Sequence, residues 1–245
     1  MKIVGVIPAR YASIRFPGKP LAVLAGKPMV LHVLEAARAA RRLDRVLVAT
    51  DDERIAAVVA GAGGEAVMTS ANAASGTDRL AEASRRFPAD AYVNIQGDEP
   101  MMSAGNVDRA VATLLGGEGP ARAIATLAVS LAAELANDPN TVKVAAARDG
   151  RALYFSRAAI PYYRSGAPAY RKHLGIYAYR AEALREIAAL PPSPLERAES
   201  LEQLRWLEAG HAIWVGEAES DSIGVDTPED LARAESLMKE KEAVP

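Results

Sequence analysis

The sequence predicts an α/β protein: a mostly parallel, Rossmann-like sheet with helices on both faces and an antiparallel insertion. Three observations carry that expectation. In the first hundred residues, short β-branched runs alternate with longer stretches of helical apolar spacing, the pattern of βαβ units. The segments richest in Gly, Pro and charge fall at the carboxyl ends of the expected strands, where open α/β sheets bind ligands. After about residue 120, helical spacing gives way to strand, turn and strand.

In chain order, residues 3–7 read as a buried strand bounded by Pro8, and Pro28 opens a helix whose apolar face is Val30, Leu31, Val33, Leu34 and Ala37. Strands are expected over 45–50, 65–68 and 91–95, with helices over 51–60 and 77–87. Gly61-Ala62-Gly63-Gly64 follows a helix and reads as its C-terminal cap. Strands over 123–130, 142–147, 152–156 and 174–179 make up the insertion, with Arg148-Asp149-Gly150 as a hairpin turn. The end of the chain reads as helix 199–208, strand 211–215, a short strand from about 223, and a last helix from Thr227-Pro228-Glu229-Asp230. The expected organisation is one domain over 1–245, with roughly 121–180 as the antiparallel insertion.

Composition narrows the function. Half of the 245 residues are hydrophobic and about a quarter are charged, with a formal net charge of −2 from 29 basic and 31 acidic side chains. A nucleic-acid binder needs a basic stripe, which this balance argues against. Cysteine is absent, which removes disulfides, thiolate metal sites and a cysteine nucleophile. The apolar run before Pro8 is too short for a secretory signal, and charged residues interrupt every Ala-rich stretch, so a soluble cytoplasmic protein without membrane insertion is expected.

Arg10, Arg15 and Lys19 lie within ten residues, among Pro8, Pro17, Gly18 and Pro20. Cations on a loop stiffened by proline suit a polyphosphate, though the composition also fits an ordinary basic surface loop. A G-x-x-x-x-G-K-[ST] loop is absent and the glycine cluster lacks a strand before it, which weakens a dehydrogenase reading. Asp98 follows a strand ending in Gln96-Gly97, and Asp226 precedes the last helix. Two such acids could converge on Mg²⁺, which takes one or two carboxylates and completes its shell with water and phosphate. Capping is the other reading of Asp226, and capping by Thr77 is the plainer reading of Ser75-Gly76-Thr77-Asp78-Arg79. His173 and Tyr177 share a strand face, with Arg157, Glu202 and Gln203 as polar company for an acidic ligand, whereas His32 and His211 read as structural.

Five blocks stand in order: residues 8–20 (PARYASIRFPGKP), 96–100 (QGDEP), 154–157 (YFSR), 173–177 (HLGIY) and 224–230 (GVDTPED). Together they resemble the 3-deoxy-manno-octulosonate cytidylyltransferases from end to end. The resemblance implies a nucleotidyltransferase that moves CMP from CTP to 3-deoxy-D-manno-octulosonate (Kdo) for lipopolysaccharide assembly. It also implies Mg²⁺ as cofactor and a homodimer joined through the insertion. In that pattern Arg10, Lys19, Asp98 and Asp226 are catalytic, and the two aspartates hold the metal. Ala9, Arg10, Arg15, Lys19, Ser70, Ala71, Gly76, Arg79 and Gln96 meet the nucleotide, residues 68–79 surrounding the cytosine. Gln96, Arg157, His173, Tyr177, Glu202 and Gln203 meet the sugar. Ile14 stands where relatives have Ser or Thr, residues 72–74 lack the charged and aromatic-type side chains common there, and the loop over 163–171 is shortened. Another acidic sugar such as 8-amino-Kdo, and a non-catalytic CTP-binding homologue, are the alternatives.

Overall fold

The computed structural model describes residues 1–12, 15–73, 75–116 and 122–242; Ile14 and Ala74 lie outside them. The chain divides into two compact units, Met1–Asp108 with Ser222–Pro245, and Arg109–Asp221.

The first unit starts with β1 (Ile3–Ala9), a small hairpin of β2 (Val23–Leu24) and β3 (Lys27–Pro28), and α1 (Met29–Ala39). Then follow β4 (Arg45–Thr50), α2 (Glu53–Gly61), β5 (Glu65–Met68), α3 (Gly76–Arg86), β6 (Ala91–Asn94) and α4 (Ala104–Leu115), which carries the chain into the second unit. The strands pair in parallel in the order β6-β1-β4-β5, flanked by helices. This is the mostly parallel α/β sheet the sequence implies. Helix α4 was not anticipated.

Strand β1 does not stop at Pro8; it runs on to Ala9, with Pro8 opposite Ala49 and Ala9 opposite Thr50. The reason is geometric. Val6 points its carbonyl at β6, accepting from Ile95 N–H at 3.0 Å. Pro8, two residues on, points the same way, where β6 has already ended, so its missing N–H costs no ladder bond. Gly97 fits into the space this leaves: a Cβ there would sit 2.4 Å from the Pro8 carbonyl oxygen. Only a glycine lets the chain pass so close to β1 before it delivers Asp98.

The second unit contains β7 (Ile124–Leu131), β8 (Lys143–Ala146), β9 (Ala152–Ser156), β10 (Tyr170–Arg180), α5 (Ala181–Ala188), α6 (Pro194–Glu199), α7 (Gln203–Glu208) and β11 (Ile213–Glu217). Pairings β7–β10, β10–β8 and β8–β9 are antiparallel, and β11 adds to β7 in parallel. Gly150, at φ 90°, makes the expected hairpin turn between β8 and β9. The helix expected over 199–208 is instead two. Ser193 and Glu196 form a capping box with Pro194 in the first turn, so α6 starts early, and Ser200 ends it at φ 51°. Buried Leu201 then fills the gap before α7.

The chain returns to the first unit through residues 222–226, which form no strand, contrary to expectation; one bond, Val225 N–H to the Asp98 carbonyl at 2.8 Å, replaces a ladder. Val225 is fully buried with Leu24, Met29 and Ala234, and Ile223, Leu231 and Met238 pack against that group. Helix α8 (Pro228–Glu242) closes the unit. Burial of Val225 thus fixes the backbone of Asp226, one residue further on.

Candidate functional site

In the first unit, residues far apart in sequence converge on one ammonium. Lys19 Nζ lies 2.9 Å from Asp98 Oδ2 and 3.1 Å from Asp226 Oδ1, while Arg15 Nη2 lies 2.9 Å from Asp226 Oδ2. Lys19 is only 8% exposed. A lysine so buried needs charge partners, and the two carboxylates supply them. Gly18, at φ 72°, turns the loop into a 3-10 turn over Lys19–Leu21; a Cβ at Gly18 would press on the Tyr11 ring at 3.2 Å.

Asp226 is not the helix cap. Asp230 accepts from the Asp226 and Thr227 N–H groups at 3.0 and 2.9 Å, and Thr227 Oγ1 accepts from Asp230 N–H at 3.2 Å. With α8 capped by its neighbours, the Asp226 carboxylate is left for Lys19 and Arg15. Among the described residues no group of three or more His, Cys, Asp or Glu side chains gathers to hold a metal. The converging aspartate pair is nonetheless the donor set suited to Mg²⁺, which takes one or two carboxylates and the rest from phosphate and water.

Arg10 stands exposed just past β1, Ala9 is buried as its last residue, and Gln96 and Gly97 follow β6. Helix α3 pins residues 68–70 from one stripe of side chains. Arg86 Nη1 donates to the Met68 carbonyl at 2.9 Å, and Arg79 Nη1 donates to Thr69 Oγ1 at 2.5 Å. Glu82 accepts from the Ser70 N–H at 2.9 Å. Ser70 and Ala71 are exposed, and Gly76 lies against Pro8 and the side chains of Asn94 and Gln96. Ser75, not Thr77, caps α3, in a capping box with Asp78; Thr77 is buried inside the helix. Arg79 itself is 2% exposed, so it has little surface to offer a ligand.

The second unit holds an aromatic cluster built on β10. His173 stacks edge-on to Phe155 at 5.0 Å, its ring centroid is 5.3 Å from that of Tyr177, and Trp206 of α7 meets Tyr177 at 5.1 Å. Between Leu174 and Tyr177 the register slips by a bulge, which Thr126 of β7 fills. The Thr126 hydroxyl lies 2.7 Å from the Ile176 carbonyl and 2.9 Å from His173 Nε2. A carbonyl can only accept, so the hydroxyl donates there and receives the His173 Nε2–H. Burial holds the His173 imidazole down to about 3, and it pushes the Tyr177 hydroxyl well above the usual tyrosine range. The Tyr177 hydroxyl and Trp206 Nε1 are buried without a hydrogen-bond partner among the described residues. Gln203 is buried in the first turn of α7, beside Glu202.

A linkage prediction follows from His173. Since its folded affinity for protons lies below the ordinary value of about 6.5, the unfolded chain takes up the proton first, and stability falls as pH drops from that value towards about 3. Ring-nitrogen NMR should find His173 neutral, with the proton on Nε2, from pH 7.5 down to 5. Titration of that ring near 6.5 would contradict the assignment.

Arg157 is held by its own unit. Its guanidinium donates to the carbonyls of Glu199, Pro139 and Ser200 at 2.7, 2.8 and 3.4 Å, leaving only its remaining N–H bonds for a ligand. Its own carbonyl accepts from Lys143 Nζ at 2.5 Å, a lysine with no exposed surface whose proton affinity burial lowers. Sequence reasoning missed Lys143, Thr126 and Trp206, since single polar residues inside strands and helices carry no motif, and Asp51, a lone acid in the turn after β4, carries none either. For Trp206 a signal existed: it lies three residues after Gln203, on the same helix face.

A family model described as cytidylyltransferase matches residues 4–213. The 3-deoxy-manno-octulosonate cytidylyltransferase of Syntrophobacter fumaroxidans is 54% identical to the chain over 238 residues, 94% of each protein. Its namesake from Phocaeicola vulgatus is 49% identical over 255 residues, 99% of each. Among solved structures, CMP:2-keto-3-deoxy-manno-octonic acid synthetase complexed with CTP matches with a TM-score of 0.93 at 45% identity, covering 98% of this chain and 100% of that one.

Proposed function

We propose that this chain, which belongs to the cytidylyltransferase family, transfers CMP from CTP to Kdo, giving CMP-Kdo and pyrophosphate and so activating the sugar for lipopolysaccharide assembly. The observation that carries the reading is the convergence of Asp98 and Asp226 on Lys19, with Arg15 alongside. Fixed cations next to paired carboxylates suit a substrate that arrives as a triphosphate with its metal.

In the reaction, the anomeric hydroxyl oxygen of Kdo bonds to the α-phosphorus, the bond from that phosphorus to the bridging oxygen breaks, and the hydroxyl proton passes to solvent. Asp98 and Asp226 would hold Mg²⁺, which when bound would neutralise charge on the α-phosphate and favour ionisation of the attacking hydroxyl. Lys19, Arg15 and Arg10 neutralise the triphosphate and the departing pyrophosphate, the kind of fixed charge stabilisation on which phosphoryl transfer depends. Exposed Ser70, pinned from α3 through Glu82, and its exposed neighbour Ala71 face the base. The buried donors Tyr177 Oη and Trp206 Nε1, with Gln203 and Glu202, suit a polyhydroxy acid, because a buried donor without a protein partner gains from a ligand acceptor. The remaining N–H bonds of Arg157 serve its carboxylate. His173 is too weakly basic to take the hydroxyl proton and instead orders β10 through Thr126.

On the same reading the chain acts in the cytoplasm as a homodimer joined through the antiparallel strands, where edge strand β9 exposes Leu153. No helix among the described residues is long and apolar enough to cross a membrane. The test is pyrophosphate release with CTP, Mg²⁺ and a panel of acidic sugars. Turnover with Kdo, abolished by EDTA, is expected. Turnover with 8-amino-Kdo but not Kdo would overturn the acceptor, and CTP binding without turnover on any sugar would overturn the activity.

A further inference from the structure

Asp51, the residue after β4, has no part in the scheme above, yet it touches both halves of the nucleotide site. Its Oδ1 accepts from the backbone N–H of Tyr11 at 3.3 Å, and its Oδ2 accepts from Arg79 Nη2 at 3.2 Å. Tyr11 opens the loop that carries Arg15 and Lys19, and its carbonyl closes that loop by accepting from Gly18 N–H at 2.9 Å. The outer face of the Tyr11 ring is covered by Arg54, whose guanidinium carbon lies 3.6 Å from the ring centroid. Arg79 passes the connection on to Thr69 Oγ1, whose hydroxyl donates to the Thr50 carbonyl at 3.1 Å. The side chains of Arg79 and Asp51 are 3% and 11% exposed, so this ion pair is shielded from solvent.

We propose that Asp51 is a positioning residue that fixes the distance between the triphosphate loop and the segment 69–71 that carries base-facing Ser70 and Ala71, acting through Tyr11 on one side and Arg79 on the other. The inference rests on the proposed function, since it assigns both ends to one nucleotide. A shielded ion pair contributes little net stability but strongly prefers one geometry. A ligand that spans two subsites gains affinity when their separation is held, because its second half binds at a high effective concentration. Loosening the link therefore weakens a spanning ligand more than either half of it. A merely structural role would weaken all ligands alike.

The experiment measures binding of CTP, CMP and pyrophosphate, each with Mg²⁺, by calorimetry or competition. It compares the wild-type chain, Asp51→Asn and Arg79→Met, with thermal unfolding of each. In Asp51→Asn, affinity for CTP should fall at least about 10-fold, while CMP and pyrophosphate each change less than about 3-fold. The double variant should lose no more than the worse single one, because both substitutions cut the same link. Unchanged CTP affinity in Asp51→Asn, or an equal loss for all three ligands, would overturn the proposal. So would additive losses in the double variant. If Asp51→Asn does not fold, Arg79→Met and Thr69→Val carry the same ligand comparison. Failure of the wild-type chain to bind CTP would instead overturn the proposed function, so the two failures are distinguishable.

Discussion

Asp98→Asn should lower kcat/KM at least about 100-fold, the usual scale for losing one fixed electrostatic group at a reacting phosphate or oxyanion. The amide keeps the shape of the carboxylate and removes its charge, so metal affinity should fall in parallel. The fold should survive. The backbone contacts at this point, Gly97 against Pro8 and the Asp98 carbonyl with Val225, do not involve the side chain. Lys19 keeps Asp226 as a partner. Steady-state kinetics with thermal unfolding and Mn²⁺ titration by electron paramagnetic resonance provide the check. Turnover within about 3-fold of wild type would remove Asp98 from the metal site, since a lost metal ligand costs more than that.

Lys19→Met should produce a comparable loss of turnover with the opposite metal signature. The buried ammonium pairs with both carboxylates, and methionine fills its volume without charge. KM for CTP should rise and kcat fall, together at least about 100-fold in kcat/KM, while KM for Kdo changes little. Mn²⁺ measured without nucleotide should bind at least as tightly as to wild type, because the cation that shares the two aspartates is gone. The pair of variants separates two roles: Asp98→Asn loses metal first, and Lys19→Met loses nucleotide first. Loss of Mn²⁺ binding in Lys19→Met would contradict this division.

Much of the parallel sheet was legible because its strands are β-branched runs bounded by punctuating residues. Strands β4, β5 and β9 have the expected ends, set by Asp51, Met68 and the Asp149-Gly150 turn. Strand β1 was read too short, because Pro8 breaks a ladder only where a partner strand lies opposite its missing N–H. The split at Ser200 was missed for another reason. Helical spacing continues through it, and the capping box at Ser193 and Glu196 that shifts the first helix back went unread. The candidate residues Lys19, Asp98 and Asp226 could be picked out because each lies in a short segment containing Gly and Pro, between the regular elements of the sheet and helices. What the sequence could not convey was that Asp230 frees Asp226 from capping, or that backbone carbonyls engage most of the Arg157 guanidinium. Both depend on contacts made by folding, and side chains such as Asp51 and Thr126 take their meaning only from them.

The most direct test of transfer from CTP to Kdo is ³¹P NMR of the wild-type chain mixed with CTP, Kdo and Mg²⁺. The account predicts loss of the three CTP resonances and growth of pyrophosphate with one new phosphodiester signal, in equal amounts and only when Kdo is present. Inorganic phosphate with CDP, or pyrophosphate formed without the sugar, would contradict it.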